Sequence, residues 1–266
     1  MADPYGALAA AKLRSIAGSP RLLALRSAGD LLIVSMEALA AVVLVSRFGS
    51  IAGWTAGEVG MLIGTARAGE GLALVVGRGI DPIVFGDKVR TGQFDQVLTR
   101  PVHPLPWLLA SDIEVRFVFR AVAGAAVVAW SAAHASVAAT PANLALLAGA
   151  AVASAVFVLA TLVIGAALTF RTVEGSDIAN LVVNGGLGLV AFPLDLYASP
   201  IRFTFTFLIP VALCVYVPVL TVLGRDGPGG LGPHLLAALP MGLGAFVALA
   251  GLAWRSGVRH YESTGS

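Results

Sequence analysis

The sequence predicts an all-α membrane protein with six transmembrane helices, an N-terminal interfacial helix and a re-entrant helical hairpin before the last span. Three observations carry this. Of 266 residues, 58% are hydrophobic and only 12% are charged, about half the charge of a typical soluble domain. The charges are clustered, and the runs between them are about 20 residues long, enough for a helix to cross roughly 30 Å of hydrocarbon. Glycine is abundant, at 31 residues, and small residues let membrane helices approach closely. Mean hydropathy is +0.88.

The N-terminal stretch 7–27 sets Lys12, Arg14, Arg21 and Arg26 between Leu and Ala, with Pro20 as a break. It suits a helix lying in the membrane surface. No short apolar core with an A-x-A site follows Met1, so the segment is expected to be retained. Spans are expected at about 29–47, 57–77, 115–135, 142–169, 179–198 and 233–254. The stretch 78–114 between the second and third carries most of the charge and includes the Pro-rich piece RPVHPLP. The apolar stretch 203–223 holds Pro210 and Pro218, each of which removes a backbone donor. Two short helices joined by a turn, a re-entrant hairpin over about 201–223, fit better than a seventh span. Such irregular backbone is tolerated at membrane depth when protein surrounds it. The whole chain reads as one membrane domain.

Lys and Arg give the orientation, because short translocated loops are poor in them. With alternate loops assigned to the cytoplasm from the N-terminus, that side holds Lys12, Arg14, Arg21, Arg26, Arg78, Lys88, Arg90, Arg100, Arg116, Arg120, Arg171, Arg255 and Arg259. The other side holds Arg47, Arg202 and Arg225, and Arg67 lies within a span. Both termini are therefore expected to be cytoplasmic.

Several chemistries are not expected. A net charge of +2 does not suggest a nucleic-acid partner, and the single Cys214 allows no internal disulfide. There is no H-E-x-x-H, no G-x-S-x-G and no G-x-x-x-x-G-K-[ST]. His103, His134, His234 and His260 fall in four different regions, so no metal site and no catalytic residue is expected. Asp81, Asp87, Asp95, Asp112 and Glu114 share the charged loop, interleaved with Arg and Lys. They read as a self-paired solvated loop rather than as the site of a lipid-modifying enzyme.

Three ionisable residues lie inside spans: Glu37 in the first, Arg67 and Glu70 in the second. Arg67 and Glu70 are three apart and share a helix face. They read as a neutralised cluster locking the helices together, since an Arg beside two acids is already paired. The alternative is a proton- or sodium-coupled secondary transporter using Glu37 and Glu70.

Three stretches resemble the membrane subunits of ABC-2-type exporters, in a branch of about this length neighbouring daunorubicin- and multidrug-type transporters. The first, VRTGQFDQVLTRPVHPLPWLL, carries an R-x-G-x-(L/F)-D-x-x-L-x-R-P signature through Arg90, Gly92, Phe94, Asp95, Leu98, Arg100 and Pro101. The second runs from Phe192-Pro193 to Tyr197, and the third is IPVALCVYVP, with Pro210, Tyr216 and Pro218. Gly53-Trp54 in the first external loop also fits. Phe192 stands where Tyr is usual, and Gln93-Phe94 where Glu-Leu is common.

The resemblance implies a permease subunit of an ATP-driven exporter in the bacterial inner membrane. It also implies a second permease subunit and two ATPase subunits, with ATP and Mg on the ATPase and no cofactor in this chain. A coupling helix from about Asp87 to Thr99 would offer Phe94, Val97 and Leu98 to a socket on the ATPase, oriented by ion pairs of Asp95, Arg90 and Arg100. Pro101 and Pro104 would stop it. The loop Arg171–Asp177, with Glu174, is the expected second contact. Gly/Ala-rich apolar walls point to a hydrophobic or amphipathic cargo.

Overall fold

A computed structural model of the chain describes residues 4–170 and 181–261. Among these residues the only β pairing is a bridge between Ile51 and Trp54; nearly everything else is helical. Helix α1 (Pro4–Ala17) ends before Gly18 and Ser19, and α2 (Pro20–Phe48) follows. The sequence reading placed a surface helix across 7–27, broken at Pro20. Pro20 instead opens α2, where its missing N–H is unneeded and its fixed φ suits the helix. Residues 20–27 therefore extend the first spanning helix. At 29 residues and 1.5 Å per residue, α2 is about 43 Å long and overhangs the hydrocarbon.

Helix α3 (Ala56–Gly77) starts at a capping box, in which the Thr55 side chain accepts from the Glu58 N–H at 3.3 Å and Glu58 accepts from the Thr55 N–H at 2.7 Å. Three short helices follow at one end of the bundle: α4 (Pro82–Arg90), α5 (Gln93–Leu98) and α6 (Pro104–Ser111). Helices α7 (Arg116–His134) and α8 (Pro141–Thr169) return through it. Then come α9 (Leu181–Val190), α10 (Ser199–Leu208), α11 (Val211–Leu223) and α12 (Leu239–Arg259).

Five helical stretches are long and apolar enough to cross a membrane: Pro20–Phe48, Ala56–Arg90, Arg116–His134, Pro141–Thr169 and Pro228–Arg259. The bent pair α10–α11 makes six if counted as one. This is a multi-pass all-α membrane fold. The span expected over 179–198 begins outside the described residues, and its far end is not helical as expected. Helix α9 stops at Val190 because Pro193 cannot continue it, and residues 194–196 form a 3₁₀ turn. Helices α10 and α11 meet at 71° across Ile209 and Pro210. The helix is interrupted again at Val215, so Pro218 falls in the first turn of its final segment, Tyr216–Leu223, where a missing donor costs little.

Helix α3 is the axis of the bundle. Its spanning window is 78% buried, against 22% for α2 and α7. Gly57, Gly60, Gly64 and Gly71 make a stripe against α7. A Cβ on Gly64 would stand 2.7 Å from the Gly124 carbonyl oxygen, and one on Gly57 would stand 2.9 Å from the Ala135 nitrogen. Gly69 faces Ser154 of α8 in the same way. Side chains are absent where backbones touch, which brings the charged residues of α2, α3 and α7 within reach of one another.

Candidate functional site

The conspicuous polar construction inside the bundle is an ion-pair chain across three helices. Glu37 of α2 takes a bidentate contact from Arg67 of α3, Nε to Oε2 at 2.6 Å and Nη2 to Oε1 at 2.8 Å. The third donor of Arg67 reaches Glu70 Oε2 at 2.6 Å. Arg120 of α7 donates to Glu70 Oε1 at 2.9 Å and, through Nε, to Asp30 Oδ1 of α2 at 3.1 Å. Arg116 closes the series on Asp30 Oδ2 at 3.3 Å. Three acids thus meet three arginines. The structure brings together Glu37, Arg67 and Glu70 as expected from their spacing, and adds three residues that sequence reasoning missed. Arg116 and Arg120 enter the sequence reading only as orientation charges, and Asp30 does not enter it. The available signal was the i,i+4 spacing of the two arginines on one face of α7.

The signature segment sits at the end of the bundle where α3 passes into α4. Asp81 caps α4 by accepting from the Ile83 N–H at 3.1 Å and pairs with Arg78 at 2.7 Å. The single helix expected from Asp87 to Thr99 is two helices instead, α4 and α5, because Gly92 adopts φ +69° between them. This left-handed turn is where glycine is preferred.

Phe94 does not project from this elbow. It is fully buried in the chain's own aromatic cluster, with ring centroids 5.2 Å from Phe85, 5.2 Å from Phe170 and 5.2 Å from Tyr261. Trp254 closes the cluster 5.7 Å from Phe85 and 5.7 Å from Phe170. The cluster therefore ties α4 and α5 to the ends of α8 and α12. The expectation that Phe94 fills a socket on another subunit is overturned by this burial. The apolar residues that α4 and α5 do expose are Ile83 (55%) and Leu98 (39%); Val97 is half-buried.

The expected ion-pair scheme also changes. Tyr261 donates its hydroxyl to Asp95 Oδ1 at 2.8 Å. Arg90 pairs with the neighbouring Asp87 at 2.6 Å, and Arg100 lies over the Trp107 ring at 4.6 Å. Burial pushes the Tyr261 phenol up, and the Asp95 carboxylate pushes it further, to about 12. Pro101 stands exposed between α5 and α6. Glu174 and the rest of Arg171–Asp177 lie outside the described residues.

Asp112 pins this end to the N-terminal helix. It accepts from Lys88 of α4 and from Lys12 of α1, the latter at 3.3 Å. Burial alone would raise this carboxyl, but the two ammonium groups outweigh it and hold it below its ordinary value. At the opposite end, Tyr216 is fully buried and donates to Asp195 Oδ2 at 3.3 Å. Trp54 donates to the same oxygen at 3.2 Å. Arg225 lies over Trp54 at 4.8 Å and pairs with Glu58 at 2.8 Å, which fastens the end of α11 to the start of α3.

Chemically, these arrangements can hold helices and transmit force. Among the described residues, no three His, Cys, Asp or Glu side chains are grouped to hold a metal ion. A family model described as ABC-2 family transporter protein matches residues 31–265. No curated protein and no solved structure matches the chain.

Proposed function

The chain belongs to the ABC-2 family of transporter proteins, and on that premise we propose that it is the permease subunit of an ATP-driven exporter whose ATPase is a separate chain. ATP and Mg belong to that partner, and a second permease subunit, identical or homologous, completes the pathway. The cargo class is hydrophobic or amphipathic. The chain's place is the bacterial inner membrane, as the family resemblance implies, and the thirteen-to-three bias of Lys and Arg supports both termini in the cytoplasm.

One observation carries the coupling assignment. Phe85 and Phe94 anchor the α4–α5 elbow in an aromatic cluster with Phe170 and Trp254, so the elbow is fastened to α8 and α12. A push on its outer surface is passed to two spanning helices instead of bending a loop. Arg90, Gly92, Asp95, Leu98, Arg100 and Pro101 shape that surface, and Phe94 is its inner anchor. The intramembrane acids are better suited to clamping than to carrying ions. Glu37 and Glu70 both accept from arginine, and breaking such a buried pair from one side is costly.

The test uses Ile83→Glu and Leu98→Glu, which alter exposed side chains and leave the aromatic anchor intact. Both variants should fold, and both should lose co-purification with the ATPase or uncouple ATP hydrolysis from transport in proteoliposomes. Arg47→Ala, at the other end of α2, is the control. Full ATPase retention and full transport in both variants would refute the coupling role of the elbow.

A further inference from the structure

A second polar feature lies at the elbow between α1 and α2, beside the ion-pair chain, with which it shares Arg116. There Lys12, Arg26 and Arg116 line a pocket of about 220 Å³, together with the hydroxyl-bearing Ser15 and Ser19 and the carboxylate of Glu114. We propose that this pocket binds the phosphate headgroup of an anionic phospholipid.

Charge is the first argument. Glu114 is the one acid in the lining, and it is matched by Arg116, 3.5 Å away. Asp112 takes up Lys12 through one of its oxygens, at 3.3 Å. Arg26 is exposed and has no ion-pair partner among the described residues. The pocket is left with a net unmatched cation. It also holds unused donors: the Arg26 guanidinium, and the Ser19 hydroxyl, which makes no cap hydrogen bond to α2. A phosphodiester oxygen supplies the acceptor these groups lack, in the charge-assisted form that guanidinium favours.

Depth is the second argument, and it selects a lipid over a free anion. Arg26 lies near the start of the exposed apolar surface of α2, which opens with Leu22 and Leu25 and continues through Leu31, Leu32 and Ile33. Arg116 is the first residue of α7. The pocket therefore sits where both helices enter the hydrocarbon, at the level of lipid phosphates. Leu22 and Leu25, 48% and 73% exposed, flank it with apolar surface suited to the glycerol and upper acyl chain. Its position on the side expected to be cytoplasmic also meets the leaflet in which anionic lipids concentrate.

The experiment measures lipid retention by native mass spectrometry, and thermal stabilisation, of the full-length chain in detergent. The probes are phosphatidylglycerol, phosphatidylcholine and inorganic phosphate. Phosphatidylglycerol should be retained in preference to phosphatidylcholine, and millimolar inorganic phosphate should not displace it. Arg26→Gln should weaken that retention about fivefold, the worth of one cation at an anionic surface. Arg26→Lys should recover most of it, and Arg47→Gln, an equally exposed arginine at the other end of α2, should leave it unchanged. Equal retention of the two lipids would overturn the proposal. So would an equal loss in Arg47→Gln, which would mean diffuse electrostatics. Displacement by inorganic phosphate would assign the pocket to a soluble anion instead.

Discussion

Arg67 donates to two carboxylates at once, and its side chain is only 14% exposed. Removing it would leave Glu37 and Glu70 facing low dielectric with one neutralising group fewer, a loss of about 3–5 kcal/mol when a buried pair is broken from one side. Arg67→Ala should therefore lower the folded yield and the unfolding temperature measured in detergent. Glu70→Gln keeps one acceptor oxygen for the two arginines, Arg67 and Arg120, and the folded variant should show no new pH dependence of transport. Loss of proton-driven uptake in folded Glu70→Gln would instead make Glu70 a coupling group. Phe94→Ala is the second case at this scale. Emptying a fully buried aromatic site costs roughly 3–5 kcal/mol, so this variant should melt earlier even without any ATPase present. An unchanged melting temperature would contradict its burial. These residues differ in how legible they were. The Glu37–Arg67–Glu70 cluster followed from spacing, because charges in a span have few places to go. The inward turn of Phe94 did not, because Phe85, Phe170, Trp254 and Tyr261 come together only in three dimensions.

At the scale of elements, the glycine stripe of α3 sets the geometry that the ion pairs use. Gly64 and Gly124 face each other so closely that any Cβ on Gly64 meets main-chain atoms of α7, which no rotamer can move aside. Gly64→Val should separate α3 from α7, stretch the Arg120–Glu70 pair and reduce the folded fraction on size-exclusion chromatography. Gly149→Val, where nothing lies within 4 Å of the added carbon, should be tolerated. Equal yields of the two would mean the α3–α7 contact is looser than drawn. Span positions were largely legible, since hydropathy and caps such as Thr55 and Thr140 act locally. Two boundaries were misread for a reason of the same kind. Proline was treated as a stop at Pro20, where it starts a helix, and its effect at Pro193, where it ends one, was overlooked. The division between α4 and α5 was signalled by Gly92, whose left-handed turn the signature segment had hidden within one assumed helix.

For the whole molecule, the charge pattern forecasts which side of the membrane each end occupies. The described ends of the spans put Lys12, Lys88 and Asp112 in one contact set, so α1, α4 and the start of α7 share a face of the membrane. Trp54, Asp195 and Arg225 form another set, which joins the loop after α2 to the end of α11. The first set is rich in Lys and Arg along the adjoining chain, so the proposed orientation puts it in the cytoplasm. Pro210 bends the α10–α11 pair by 71°; Asp195 before the pair and Arg225 after it both reach Trp54, so the pair enters and leaves at one end of the bundle, and Tyr261 after α12 bonds Asp95 at the other. If the pair does not cross, Arg255 and Arg259 join the cytoplasmic charges. Crossing would put both outside, against the charge bias and against the bond that holds Tyr261 to Asp95. Single cysteines introduced after Cys214→Ser distinguish these cases in intact cells with a membrane-impermeant thiol reagent. Positions near 8, 95, 174 and 262 should react only after the membrane is opened, and positions near 51, 137 and 228 should react from outside. Labelling of 262 from outside, with 8 and 95 still protected, would make α10–α11 a full span. Arg255 and Arg259 would then stand on the translocated side, and the bond from Tyr261 to Asp95 could not form.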